Sequence, residues 1–469
     1  MKKLILLTGI YLLTSAIYAQ ENQLITPPRI DKRVELLSIV FRLAGNPEYN
    51  YNTFPLYTKK IEAHFGKYKN HKLIRFIQKK LHKRGVGYDA VMQMAIHITQ
   101  PPGMQPLVPF TDEIPENRWG KKNATKFLKL LNEFYTDARC EDFFEENAGL
   151  YQQIEQRFYT MYKEIDLDWY QRFYGIPPEN LFEIIIGLGN GPGNYGPKLS
   201  LPGQKDKVYA ILGIYEVDKQ GIPLYKSKAY LPILLHEFNH SFVNKTVEKF
   251  HKELQKAGEI LYEKVRPEMQ RQAYGNWQTL FNESVVRAAV IIYMKEHNYD
   301  EKSINKEMTR QLNRGFYWME GLVKELENYE QNRQQYPDLE SFMPRLVEFF
   351  NQTTSKIDEL KRKIDEQRPR ITSIHPFDNH ATDVDYHTKQ IIIRFDKPLK
   401  AKRLKVLPGE KNFPEITQTY LSKDFGSLII KVKLKPDTEY QIRLSGWYIK
   451  SMKGISMKDY TLNFKTKKQ

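Results

Sequence analysis

His236-Glu237-Phe238-Asn239-His240 is the stretch whose residue types and spacing can do chemistry. Side chains four apart on a helix leave the same face one turn apart, so His236 and His240 can share one metal ion. Glu237 stands beside the pair and can take a proton from water and pass it to a leaving amine. Hydrolysing an amide at neutral pH needs a nucleophile stronger than water and a means of stabilising an oxyanion. A Zn2+ ion with an open coordination position supplies both. Leu234, Leu235, Phe238 and Phe242 would wall such a centre off from water. The bland alternative is two ordinary histidines on a polar helix face.

A catalytic zinc takes a third protein ligand. No short-range continuation supplies one, because position 243 is Val and position 246 is Thr. Glu283 is the favoured candidate: it lies in an otherwise apolar, small-residue helix, where a buried carboxylate needs a partner. Its ordinary alternative is an i,i+4 pair with Arg287. Glu248, Glu253 and Glu259 compete as acids but extend away from the two histidines, so the third ligand stays open between Glu283 and another acid. Arg287 is a candidate for holding Glu283 or steadying an oxyanion. Tyr274 and Tyr293 are both near Glu283 in sequence, and sequence does not choose between them.

Three other features bear on function. Gly191-Pro192-Gly193-Asn194-Tyr195-Gly196 fits a bare GxGxxG pattern. Pro197, Leu199 and Pro202-Gly203 follow it where a dinucleotide site requires a helix to open. Its better use is a loop beside the cleft. The run Val208–Tyr215 could then be an edge strand that pairs with a substrate backbone, with Asn194 and Tyr195 near its mouth. His375, His380 and His387 read as loop histidines rather than a second metal site.

The elements that must position these residues follow from periodicity. Residues 31–165 place apolar positions at helical spacing and predict a helical N-terminal lobe, broken by Pro47, Pro55 and a 101–109 loop. Phe182–Ile186 and Val208–Tyr215 predict strands joined by a glycine-rich loop from Gly187 to Gly203. Pro232 predicts the start of a helix over 231–256. Further helices are expected over 277–296, 301–331 and 339–366. After Pro369 the texture changes to short alternating runs, Ile391–Phe395, Leu428–Val432 and Tyr440–Leu444, separated by turn signals, which predicts a β-sandwich over 369–469.

Lys2 and Lys3, the apolar run Leu4 to Leu13 and the small residues before Gln20 have the layout of a secretory signal over 1–19. With about ten apolar residues the run is too short to span a bilayer. A periplasmic or secreted chain is therefore expected, with no transmembrane segment. The one cysteine, Cys140, excludes an internal disulfide and lies too far along for a lipid-modified N-terminus. The net charge of +16 raises nucleic acid or an anionic envelope surface as partners. The lysines are spread along the whole chain without a nucleic-acid motif, and no nucleic-acid partner is expected.

The HExxH helix with a downstream Glu on a later helix resembles the gluzincin type of zinc peptidase. That resemblance implies zinc on His236, His240 and Glu283, with Glu237 as base. It departs where gluzincins carry an Asp four residues after the ligand Glu, here Arg287, and in the longer interval between His240 and Glu283. More closely, Val34-Glu35-Leu36-Leu37-Ser38-Ile39-Val40-Phe41-Arg42-Leu43-Ala44-Gly45, together with His236-Glu237-Phe238 and Glu283-Ser284, resembles the DUF4932 family of exported proteins over about residues 25–350. The segment from Ile371 through Asp396 is similar to bacterial Ig-like domains of the Big_5 kind and implies a spacer or adhesive module, with an envelope or glycan surface as its candidate partner.

The expectation is thus an α+β chain. A zincin-like, largely helical catalytic domain over 20–366 carries strands and the HExxH helix over 180–256 and the Glu-bearing helix over 277–296. A C-terminal Ig-like β-sandwich follows. The expected function is hydrolysis of peptide bonds in a peptide or protein substrate. The alternative is a catalytically silent metal-bearing protein, against which the retained Glu237 argues, or a metal-free glycan- or envelope-binding surface protein in which the histidine pair is incidental.

Overall fold

The computed structural model describes residues 25–176, 180–400 and 404–469, and the signal-type segment 1–19 lies outside them. The chain is mixed α and β, helical in its N-terminal region and built of β-sheets at its C-terminal end. It falls into two compact units, one up to Phe242 and one from Val243 onward.

The first unit is organised around α1 (Lys32–Ala44). Asp31 caps it by accepting from the Arg33 amide, and Gly45 closes it at φ 91°, a left-handed position suited to glycine. Almost every residue of α1 is buried, so it is a core helix rather than an amphipathic surface one. Packed in sequence after it are α2 (Pro55–Phe65), α3 (Lys72–Phe76), α4 (Asp89–Ile96), α5 (Lys121–Asp137), α6 (Cys140–Glu146), α7 (Ala148–Tyr162) and α8 (Leu167–Tyr174). Pro47 and Pro55 open a 3-10 turn and α2 respectively, instead of breaking helices. At the first helical position the missing amide has no intrahelical role.

The sheet of this unit has the order β1 (Leu181–Ile186), β3 (Lys207–Leu212), β2 (Lys198–Leu199). β1 and β3 run parallel, and β2 runs antiparallel to β3. Residues 25–29 extend it on the far side, through parallel bridges from Ile25 to Phe182 and from Arg29 to Ile185. β1 and β3 are therefore both interior, which explains their nearly continuous apolar sequence. The expected edge strand over 208–215 is corrected here. It ends at Leu212 and is covered by the antiparallel segment 195–199, a pairing that local alternation could not reveal.

α9 (Ser227–Glu248) carries the histidine motif. It begins before Pro232, with the Lys226 carbonyl accepting from the amides of Ala229 and Tyr230. A new helix, α10 (His251–Gln270), begins only after a break at Lys249–Phe250. The single helix expected over 231–256 is thus two, and neither glycine nor proline marks the break.

In the second unit α11 (Trp277–Glu296) is capped by Asn276, which accepts from the Thr279 amide, and its bounds match the expected 277–296. The stretch 301–331 is α12 (Glu301–Asn313) and α13 (Met319–Gln331), parted at Gly315, whose φ of 99° no helix permits. α14 (Leu339–Asp365) starts with a reciprocal cap between Asp338 and Ser341. Beyond it, β4 (Ile371–His375), β5 (Gln390–Phe395), β8 (Ser427–Lys433) and β7 (Glu415–Leu421) form one antiparallel sheet in the order β4-β5-β8-β7. β10 (Tyr460–Lys465), β9 (Glu439–Leu444) and β6 (Leu407–Pro408) form a second in the order β10-β9-β6. One apolar cluster draws on both, with Ile391, Ile393, Leu428 and Ile430 from the first and Ile442, Leu444, Leu462 and Phe464 from the second. β5, β8 and β9 are the three runs read from alternation.

Candidate metal centre

α9 is fixed to the sheet by aromatic side chains and one hydroxyl. The Phe238 ring lies 4.5 Å from that of Phe182 on β1, and Phe242 stacks at 4.5 Å on Tyr174 of α8. Tyr230 donates its hydroxyl proton to the Gly213 carbonyl at 3.1 Å and accepts from the Tyr215 amide at 3.2 Å. These contacts lock the helix rotation and leave His236, Glu237 and His240 half-buried on one side.

The two imidazoles converge. Their Nε2 atoms are 3.3 Å apart, with ring planes perpendicular. Two nitrogens each held about 2.0–2.1 Å from one tetrahedral ion stand roughly 3.3–3.4 Å apart. His236 and His240 belong to the first unit, and the buried Glu283 belongs to the second. Two imidazole nitrogens with a carboxylate oxygen are the kind of donor set that a divalent ion such as zinc takes.

Glu283 is held within its own helix bundle. Its Oε2 accepts from Arg287 Nη2 at 2.6 Å, and both side chains are almost wholly buried. Arg287 also donates to the Tyr274 hydroxyl at 2.8 Å and to Gln311 Oε1 at 3.1 Å, with its guanidinium 5.1 Å above the Phe316 ring. Burial pushes the Tyr274 hydroxyl up to about 12, against the pull of the Arg287 cation. Tyr274 is thus joined to Arg287, whereas Tyr293 is buried and stacked on His297 at 3.7 Å.

The glycine-rich loop closes on Glu237. A β-carbon built on Gly196 would fall 2.5 Å from Glu237 Oε2, so glycine lets the loop come this near without displacing the carboxylate. Tyr195 exchanges both backbone hydrogen bonds with Ile211, and the Pro197 carbonyl accepts from the Tyr209 amide. By the alternation of an antiparallel ladder, Gly196 between them turns its N–H and C=O outward. Asn194 is used internally: its Oδ1 accepts from the Gly213 amide at 3.1 Å and its amide meets the Tyr215 hydroxyl. Of the two residues expected at a substrate edge, Asn194 braces the loop and Tyr195 pairs with β3. The outward-facing backbone belongs to their neighbour.

Sequence reasoning missed what holds this loop. Glu35 of α1 is fully buried and its Oε1 accepts from the Leu188 amide at 2.7 Å. Tyr57 and the Gly189 amide also hydrogen-bond this carboxyl, yet burial outweighs them and raises it to about 8. Ser38, one turn on, donates to Asn190 Oδ1 at 2.7 Å, and a β-carbon at Gly189 would meet the Ser38 Cβ at 2.6 Å. The available signal was a glutamate inside the otherwise apolar run of α1.

The profile of the family described as "Domain of unknown function (DUF4932)" matches residues 28–349, and the chain belongs to that family. No curated protein matches it. Among solved structures it is similar to bacterial surface-layer protein SbsC. The domains 1–6 structure has 14% identity and a TM-score of 0.18, covering 52% of this chain and 33% of that one. The N-terminal part of SbsC has 11% identity and a TM-score of 0.17, covering 52% and 64%. The chain therefore spans less than two thirds of these proteins' length, and scores this low carry no argument about fold or function. No described helix is long and apolar enough to cross a membrane.

Proposed function

We propose that this member of the DUF4932 family is an exported, zinc-dependent peptidase with a zincin-like catalytic region and a C-terminal Ig-like domain. The observation that carries the reading is the 3.3 Å approach of the His236 and His240 Nε2 atoms beside Glu237. Two imidazoles converging at that spacing suit a shared tetrahedral ion better than they suit a solvated helix face. His236, His240 and Glu283 would hold the ion. When bound, zinc supplies a Lewis acid that makes a nearby water a usable nucleophile at neutral pH.

The protein's own residues do the rest. Glu237 is placed to accept the proton of the attacking water and return it to the departing amine nitrogen. Gly196 leaves room for that carboxylate, and its outward N–H and C=O can pair with an extended substrate backbone. Arg287 orients the Glu283 carboxylate through its 2.6 Å hydrogen bond. Phe238 and Phe242, buried against Phe182 and Tyr174, keep bulk water from that side of the helix.

The test compares the purified mature chain with Glu237→Gln. The wild type should carry one zinc per chain and cleave a peptide library, and the variant should keep its zinc and lose cleavage by at least about 100-fold. Absence of stoichiometric zinc, or equal cleavage by the two proteins, would defeat the proposal.

A further inference from the structure

The turn after β9 exposes side chains that soluble proteins usually cover. Asp459 accepts from the Gly446 amide at 2.8 Å, and the Ser445 carbonyl accepts from the amides of Tyr448 and Ile449. The turn is therefore fixed from within, yet it leaves Trp447 77% exposed. Met452, just beyond, is 58% exposed, and Phe425 is 42% exposed. Backbone pairing joins these positions. The Leu399 amide donates to the Phe425 carbonyl at 2.9 Å, Leu399 bridges to Ser451, and the Lys400 amide donates to the Lys450 carbonyl at 2.9 Å.

Lysines gather at the same place. Lys450 sets its ammonium 5.8 Å from the centre of the Trp447 ring. Lys306 arrives on α12, whose Asn313 donates to the Gly454 carbonyl at 3.0 Å and accepts from the Ser456 amide at 2.8 Å. Burial first, then the charges of Lys400 and Lys306, lower the pKa of Lys450. No described carboxylate pairs with Lys306, Lys400 or Lys450. Lys411 and Lys433, elsewhere on these sheets, by contrast pair with Glu439 and Glu415. Like-charged ammonium groups without a counter-charge create a local positive potential that an external anion would relieve.

We propose that this face, with Trp447, Met452 and Phe425 as apolar tips and Lys306, Lys400 and Lys450 around them, docks onto an anionic phospholipid surface. An indole beside aliphatic and phenyl tips suits the boundary between headgroup and acyl chain, with the lysines at the level of the phosphates. A soluble acidic polysaccharide would use the cations but not the thioether and phenyl tips. Lys450 also covers one face of the indole that a sugar ring would stack on. The inference is independent of peptidase activity.

Full-length mature protein is mixed with vesicles of phosphatidylcholine alone or with phosphatidylglycerol, and bound protein is measured by sedimentation. Binding should require phosphatidylglycerol and weaken with salt. Lys400→Gln with Lys450→Gln should lower partitioning roughly 20- to 30-fold, at about fivefold for each lysine near the surface. Trp447→Ser, at a site too exposed to affect folding, should weaken binding as well. Lys411→Gln with Lys433→Gln removes equal charge elsewhere and should leave it nearly unchanged. Equal binding to neutral vesicles, equal losses from the control pair, or capture by polygalacturonate without vesicle binding would each overturn the proposal.

Discussion

Gly196→Ala separates the chemistry of Glu237 from the stability of the fold. The new methyl would sit 2.5 Å from Glu237 Oε2 and 3.4 Å from its Cδ. That is about 1 Å short of ordinary contact, so one partner must move. The nearest atom is the end of a flexible side chain, and turning it about 30° off its rotamer costs only about 0.5–1.5 kcal/mol. Alanine also reduces the entropy of the unfolded chain, worth roughly 0.4–1 kcal/mol in the opposite direction where its conformation is allowed. Net stability should therefore change by less than about 1 kcal/mol. A base displaced by about 1 Å costs on the order of 100-fold in rate. The expected result is a nearly unchanged melting temperature and zinc content with a kcat/KM on peptide substrate reduced some 100-fold. Full activity would show that Glu237 does not act from the position the loop gives it. A collapse in melting temperature would show that the loop has no room to adjust, and the loss of rate would then say nothing about the base.

Two further perturbations test the supports of the site. Burial raises the Glu35 carboxyl to about 8, above its unfolded value near 4.3, so folding binds a proton between those values and stability falls as pH rises through that window. Glu35→Gln keeps an oxygen for the Leu188 amide but cannot ionise, and its stability relative to wild type should grow by roughly 3–5 kcal/mol from pH 5 to pH 8 in denaturant melts. A difference independent of pH would refute the buried-acid assignment. Arg287→Met removes the cation beside Glu283 and should destabilise the metal-free chain by roughly 3–5 kcal/mol. Zinc on Glu283 would replace that charge, so the zinc-induced rise in melting temperature should be larger in Arg287→Met than in wild type. Equal rises would count against Glu283 as a ligand.

The parts of the site that were legible in the sequence are those whose meaning is local. Two histidines four apart announce themselves through helix periodicity alone, and Asn276 announces α11 because a cap acts over three residues. The C-terminal strands are legible because one sheet face is buried and the other wet. Glu35 shows locally only as an acid within an apolar run, and Gly196 carries no local signal of its role. The first acquires its role from an amide 153 positions away, and the second from a carboxylate on a helix that begins only at Ser227. The same distance in sequence explains why the strand over 207–212 was mistaken for an edge: the segment that covers it comes from the glycine loop, whose composition reads as irregular. Yet that loop is glycine-rich for separable physical reasons. Gly189 makes room for Ser38, Gly191 for Tyr51 and Gly196 for Glu237, while Gly213, outside the loop just past β3, makes room for the backbone of Gly191 and Gly193. A pattern that first suggests a phosphate-binding turn is better explained as three close approaches of backbone to its surroundings. Only one of them bears on Glu237, the proposed base, which is why substitution at Gly196 should affect rate, whereas substitution at Gly213, facing rigid backbone, should affect folding.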